Sequence, residues 1–312
     1  MRRRRLSVVS AAVVLSVPLV FASSCSLFGG GVDVSVSGEF GKVPEVEFPD
    51  GGPGDSLAVE TLEEGDGSEA RKGDLVVADY VGYRWNDDER KLVASSYAEG
   101  EPGVFPTGTV VPGLAEALVG ARPGARVVAR IPPDKGFGED GDARHRVGPG
   151  DTLVYVLDVR GVYGKSAAAK GKALEQRDPR LPRVGEAAPG QVPVVTMPKG
   201  AAPGKLQAVT LVQGEGPEVK GGQLAALQYA GYFWRNGQVF NSSWGEGHPA
   251  AVTIGTGEVV KGWDEALVGR RVGSRMLLVV PPSLGYGKKG LSQYGIRGDD
   301  TLVFVVELLG VH

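Results

Sequence analysis

The residue types that most often carry chemistry are scarce in this 312-residue chain. Its three histidines, His145, His248 and His312, stand far apart with no partners at metal-ligand spacing, so no metal site is expected. Gly255-Thr-Gly257 lacks the third glycine of a dinucleotide fingerprint, and no glycine loop leads into lysine and then serine or threonine. No cofactor is expected either. What remains is a set of aromatic residues, Tyr229, Phe240, Trp263, Tyr286 and Phe304. Such side chains offer bulk and apolar surface, with no obvious acid, base or nucleophile among them. Taken singly, each is an ordinary core residue.

Only the second half of the chain holds the full set, and the halves are copies of one another. Gly113-Leu-Ala-Glu-Ala-Leu-Val-Gly120 returns as Gly262-Trp-Asp-Glu-Ala-Leu-Val-Gly269, an offset of 149 residues. The same shift maps Tyr80 onto Tyr229, Pro132-Pro133 onto Pro281-Pro282, and Asp151-Thr-Leu-Val154 onto Asp300-Thr-Leu-Val303. It also carries Gly41–Gly51 onto Gly190–Gly200, which sets two domains at 41–164 and 190–312. Between them, residues 165–189 are charged and broken by proline, as a linker would be, with one short helix expected around Ala167 to Gln176. The repeat turns each difference between the copies into a comparison of what the fold needs with what a site needs. The differences read as functional are Leu114 against Trp263, Phe137 against Tyr286 and, after a small local gap, Val93 against Phe240.

The elements that must position these residues are mostly strands. A total of 49 glycines and 21 prolines implies many turns. Leu75–Tyr83, Arg126–Ile131, Leu224–Phe233 and Arg275–Val280 read as strands between such turns. Leu153, Tyr155, Leu157 and Val159 alternate with positions that include Asp158 and Arg160, and Leu302, Phe304, Val306 and Leu308 repeat this with Glu307. Both runs predict final strands with one buried face. The exception is Gly262–Val268, where Trp263, Ala266 and Leu267 share one face of a short helix. The expected fold class is α+β, each domain an antiparallel sheet packed on one short helix.

The leader differs in kind. Arg2 to Arg5 precede an apolar run, Leu6 to Phe21, and then Ala22-Ser-Ser-Cys25, so residues 1–24 read as an export signal peptide. Cys25 is the only cysteine and has no disulfide partner in the chain. The segment resembles the lipobox of bacterial lipoproteins, which implies a lipid on Cys25, a flexible tether over 25–40, and attachment to the outer face of the cytoplasmic membrane. Removing the leader takes four arginines and no acids, which moves the formal net charge from −3 to −7 and argues against nucleic-acid binding.

The second unit resembles the FKBP-type peptidyl-prolyl isomerases. The resemblance runs through Gln228-Tyr-Ala-Gly231, Val239-Phe-Asn-Ser-Ser243, Gly257-Glu-Val-Val-Lys-Gly-Trp-Asp-Glu265, Val280-Pro-Pro282, Leu284-Gly-Tyr-Gly287 and Thr301 to Leu308. It implies isomerisation of X-Pro bonds, whose rotation meets a barrier of ~18–20 kcal/mol from amide resonance. It also implies a site with Trp263 as floor beneath the prolyl ring and Tyr229, Phe240, Val259, Val260, Ile296 and Phe304 as walls. The Val260 N–H and the Tyr286 hydroxyl would hold the substrate's carbonyls. Asn241 stands where the family usually has aspartate, an acid that macrolide-type ligands use, and Ala250 stands where a pocket aromatic is common. In the first unit Val93, Ala94, Leu114 and Phe137 replace the phenylalanine, the acid, the tryptophan and the tyrosine, so that copy is expected to be weak or inactive. The expected function is peptidyl-prolyl isomerisation of exported, proline-containing polypeptides, mainly by the C-terminal domain. The alternative is a non-catalytic peptide-binding or chaperone protein of the cell surface.

Overall fold

The computed structural model describes residues 31–312, so the predicted signal peptide and Cys25 lie outside the described residues. The valine- and leucine-rich runs become strands because each closes at a glycine or proline turn. In chain order the first domain contains β1 (Ser35–Ser37), β2 (Glu45–Glu47), β3 (Ala58–Glu63), β4 (Leu75–Trp85) and β5 (Arg90–Ser95). The one-turn helix α1 (Ser96–Glu99), β6 (Gly103–Pro106), α2 (Pro112–Leu118), β7 (Arg126–Ile131) and β8 (Thr152–Tyr163) complete it. Two short strands follow in the connector, β9 (Gly171–Ala173) and β10 (Arg183–Val184). The second domain then adds β11 (Val195–Thr196), β12 (Gln207–Gly214), β13 (Gln223–Phe233), β14 (Val239–Ser242), α3 (Ser243–Glu246), β15 (Ala250–Ile254), α4 (Lys261–Leu267), β16 (Arg275–Val280) and β17 (Leu302–Val311).

Both main sheets are antiparallel. The first runs β3-β7-β8-β4-β5 with β6 also on β4; the second runs β14-β13-β17-β16-β12-β9 with β15 on β13. The helices lie where the spacing places them: Leu114, Ala117 and Leu118 are buried from α2, and Trp263, Ala266 and Leu267 from α4. Each face joins one core, with Ile131, Leu153 and Leu157 in the first domain and Leu227, Leu278 and Val306 in the second.

The final strands depart from the expectation of one buried face. Asp158 and Glu307 are buried, because a second core covers the opposite side of each sheet. In the first domain that core takes Val32, Val34 and Val36 from the expected tether, which is therefore structured from Val32 through the β1–β2 hairpin. In the second it takes Leu181 and Val184 from the expected linker, where β10 pairs β11. No helix forms around Ala167 to Gln176; Gly171–Ala173 instead joins the second sheet beside β12. The buried carboxylates fasten these wrapping segments. Arg126 donates to both oxygens of Asp158 at 2.6 and 2.8 Å and to the Glu39 carbonyl at 2.8 Å, while the Gly41 N–H donates to Asp158. At the equivalent place Arg275 donates to Glu307 at 2.7 Å, and Glu307 accepts from the Ala169 N–H at 2.6 Å. Each buried charge is thus paired and hydrogen-bonded, as burial requires.

The two domains meet through repeat-equivalent residues. Tyr163 and His312 hydrogen-bond at 2.7 Å, and they are each other's counterparts under the 149-residue shift. Gly161 and Gly310 are counterparts too: a Cβ on Gly161 would meet the His312 ring, and one on Gly310 would meet the Tyr163 ring. Equivalent surfaces meeting in this way form a pseudo-isologous contact inside one chain. Burial first, then the nearby Arg160 guanidinium, holds the His312 imidazole down to about 4, so this contact is made by a neutral ring.

Candidate active site

The second domain's aromatic residues converge because four elements aim them inward. α4 brings up Trp263, β13 Tyr229, β17 Phe304, and β14 Phe240. Phe240 sits at a bulge, since Gly231 opposes Asn241 and Tyr232 opposes Val239, leaving Phe240 as the extra residue. The bulge turns its ring over Gly231, where any Cβ would meet it at 2.4 Å, so that glycine is required by close approach. The first domain has the same irregularity: Gly82 opposes Ala94 and Tyr83 opposes Leu92, which leaves Val93 as the extra residue. The shared bulge puts Val93 at the place of Phe240, and the small gap in the repeat lies in the hairpin connection, where Leu92 pairs Tyr83 nine residues on but Val239 pairs Tyr232 only seven on.

Trp263 stands edge-to-face with Tyr229 at 5.4 Å and with Phe304 at 5.3 Å between ring centroids, and Phe240 stands edge-to-face with Phe304 at 5.8 Å. Together they enclose an open cavity of about 480 Å³. Its lining includes Tyr229, Phe240, Asn241, Val259, Val260, Trp263, Tyr286 and Phe304 from the sequence-based set. Ile296 does not line it; it is buried behind, in the core shared with Trp263 and Phe304. Trp263 is 5% exposed and its Nε1 is buried with no hydrogen-bond partner among the described residues.

Three further residues shape the site. Asp264 accepts from the Gly255 and Gly257 N–H groups at 2.6 and 3.0 Å, which ties the loop carrying Val259 and Val260 to α4. The Val260 N–H makes no backbone hydrogen bond among the described residues. Tyr294 joins the lining beside Tyr286. Glu246 accepts from Asn241 Nδ2 at 3.1 Å, while Asn241 Oδ1 accepts from the Tyr229 hydroxyl. Asn241 therefore relays between a phenol and a carboxylate, using both the acceptor and the donor of its amide, where an ionised carboxylate would have acceptors alone. Burial chiefly, with the Glu246, Tyr294 and Tyr286 charges behind it, pushes the Tyr229 hydroxyl above its ordinary range, so it remains a donor at neutral pH. Sequence reading missed Glu246 and Asp264 because neither aligns with an aromatic; their only signal was proximity in sequence to Asn241 and Trp263.

An aspartate at 241 would face Glu246 with a like charge. The Asn241→Asp exchange is expected to cost about 1 kcal/mol at pH 7, and a second exchange, Glu246→Gln, to recover it. Denaturant midpoints of both variants check this; equal stability of the single and double variants would refute the relay.

The first domain's counterpart differs throughout. Leu114 is the floor, Tyr80 stands 6.0 Å from Tyr155 and edge-to-face with Phe105 at 5.3 Å, and Phe137 stacks on His145 at 5.3 Å. These residues line a cavity of about 370 Å³.

Both domains are thus short-helix, antiparallel-sheet units with an apolar cavity between helix and sheet, a class of site that acts through shape and polarity. The family described as FKBP-type peptidyl-prolyl cis-trans isomerase matches residues 67–160 and 216–309. The chain belongs to that family and carries its domain twice. It is 35% identical over 119 residues to an FK506-binding protein of Streptomyces anulatus, covering 38% of this chain and 96% of that one. It is 42% identical over 96 residues to the mouse peptidyl-prolyl cis-trans isomerase FKBP14, covering 30% of this chain and 44% of the mouse protein. It is also 41% identical over 95 residues to FK506-binding protein 2 of Dictyostelium discoideum, covering 30% of this chain and 70% of that protein.

Proposed function

We propose that the second domain isomerises X-Pro bonds of exported polypeptides and that the first domain does not match it in this activity. The observation that carries the reading is the aromatic enclosure around Trp263, complete in the second domain and replaced in the first. A twisted amide loses conjugation between nitrogen and carbonyl and becomes less polar than the planar ground state. A cavity walled by Tyr229, Phe240, Val259 and Phe304 disfavours the planar form relative to the twisted one, which is catalysis by differential binding. Trp263 supports the prolyl ring, and the Val260 N–H and the Tyr286 hydroxyl hold the flanking carbonyls. No bond is broken.

The test is the rate of cis-to-trans relaxation of a short X-Pro peptide with residues 32–164 beside residues 165–312. Acceleration confined to the second fragment is expected; equal rates would sink the division of labour.

The leader supports a lipid on Cys25 and a place on the outer face of the cytoplasmic membrane. Under this reading the chain partitions with membranes when expressed in a bacterium, and a Cys25→Ser exchange leaves it unlipidated. Detergent-phase partition is the measurement, and identical partition of the two proteins would remove lipidation from the account.

A further inference from the structure

The first domain's cavity has been rebuilt rather than emptied. Replacing Trp263, Phe240, Asn241 and the Tyr286 hydroxyl by their counterparts Leu114, Val93, Ala94 and Phe137 removes atoms at every step. The cavity nevertheless falls from about 480 to about 370 Å³. Two rings take up the space. Phe105 opposes Val76 where Val252 opposes Ala225, so an aromatic stands where the second domain has a valine. It packs on Tyr80, and Gly103 makes this fit, since a Cβ there would lie 2.6 Å from both rings. Tyr155, the counterpart of Phe304, leans over Gly82 into the place that Phe240 occupies beside Gly231 in the second domain.

The rebuilding also changes the polar groups. Tyr155 introduces a hydroxyl where Phe304 has none. Tyr80 has Ala94 across from it, where its counterpart Tyr229 has Asn241. Burial raises both phenols, Tyr155 to about 12 with the Tyr80 charge behind it and Tyr80 with the Glu99 charge behind it, so both are donors at neutral pH. The rim loses two charges as well: Thr109 and Pro112 stand where the second domain has Glu258 and Lys261, while Glu99 keeps the place of Glu246 near Tyr80 and His145 joins the lining. The floor, Leu114, is a branched aliphatic group with no flat face for a prolyl ring.

We propose that the first domain's cavity binds an extended, proline-free peptide segment, taking up one branched aliphatic side chain over Leu114 and gripping a neighbouring backbone carbonyl with the Tyr80 and Tyr155 hydroxyls. A rounded apolar floor matches the branched side chain, and two phenol donors at its edge match the neighbouring carbonyl. The choice of a polypeptide occupant rests on the reading that the second domain works on unfolded polypeptide. The first domain then holds the chain whose proline the second domain turns.

The test uses the full chain carrying Trp263→Leu, which removes the second domain's flat floor for proline, and the Tyr155→Phe arm assigns leucine-peptide binding to the first cavity. A dye-labelled Ala-Ala-Leu-Ala-Ala peptide is titrated beside Ala-Ala-Pro-Ala-Ala, with fluorescence anisotropy as the readout. The leucine peptide is expected to bind about tenfold tighter than the proline peptide. Adding Tyr155→Phe is expected to weaken leucine-peptide binding about fivefold, the loss of one net hydrogen bond. Phenylalanine already stands at this place in the second domain, so the exchange is compatible with the fold. Absence of leucine-peptide binding, equal affinity for both peptides, or indifference to Tyr155→Phe would each overturn the proposal. Isomerisation by the unmodified chain is measured separately: binding without isomerisation would overturn the second domain's role and leave this one standing, and isomerisation without binding the reverse.

Discussion

Exchanging Trp263 for leucine in the full chain is expected to lower the rate of X-Pro isomerisation by about 30- to 100-fold, a rise of ~2–3 kcal/mol in the barrier. The first domain already shows that leucine is accepted at this point of the helix: Leu114 is 5% exposed on α2, as Trp263 is on α4. What leucine does not supply is a plane. Tyr229 and Phe304 both stand edge-to-face with the indole, so its removal frees two walls as well as the floor. Some stability is lost with the buried ring, about 1–3 kcal/mol, within the tolerance of an ordinary domain. The measurement is the peptide relaxation rate beside a near-ultraviolet circular dichroism spectrum. A folded variant with an unchanged rate would show that the enclosure does not carry the activity.

The second large effect concerns the connector. A fragment of residues 190–312 is expected to be less stable than residues 165–312 by about 3–5 kcal/mol, summing a lost hydrophobic anchor and several hydrogen bonds. The shorter fragment loses β9 from the sheet, the Ala169 N–H from Glu307, the Lys165 carbonyl from Gln228 Nε2, and Leu181 from the second core. Glu307 keeps Arg275 but loses its other donor while remaining in the sheet. Denaturant unfolding of the two fragments measures the difference, and coincident midpoints would mean that the connector is only a spacer.

Much of the fold was legible in the sequence. The 149-residue repeat equals the offset between the two family matches, alternation located the long strands, and Trp263, Ala266 and Leu267 located the helix. The second core was passed over: Val32, Val34 and Val36 alternate at period two, but over only three positions among glycines and serines, and Leu181 stands alone among arginines and prolines and sets up no period. The clue lay in the strands they cover: Leu153 to Leu157 is an unbroken apolar run, which calls for two buried faces rather than one. The aromatic residues around Trp263 were legible by their order, whereas the Asn241–Glu246 contact depends on α3 returning one turn beneath β14. Phe105 was missed because its counterpart, Val252, is not aromatic.

The connector strand has a consequence for how the protein behaves in a crowd. Outer strands β3 and β12 are equivalent, yet they are protected differently. β3 carries Glu60 and Glu63 and is left open; β12 runs Gln207 to Gly214 without one charged side chain, and β9 covers it from Val212 to Gly214. An uncharged, unpaired strand is a template for edge-to-edge aggregation, and charge or a covering segment is what prevents it. The first domain is guarded by repulsion and the second by a borrowed strand, so a protease cut in the connector would release a domain prone to stick to its own kind.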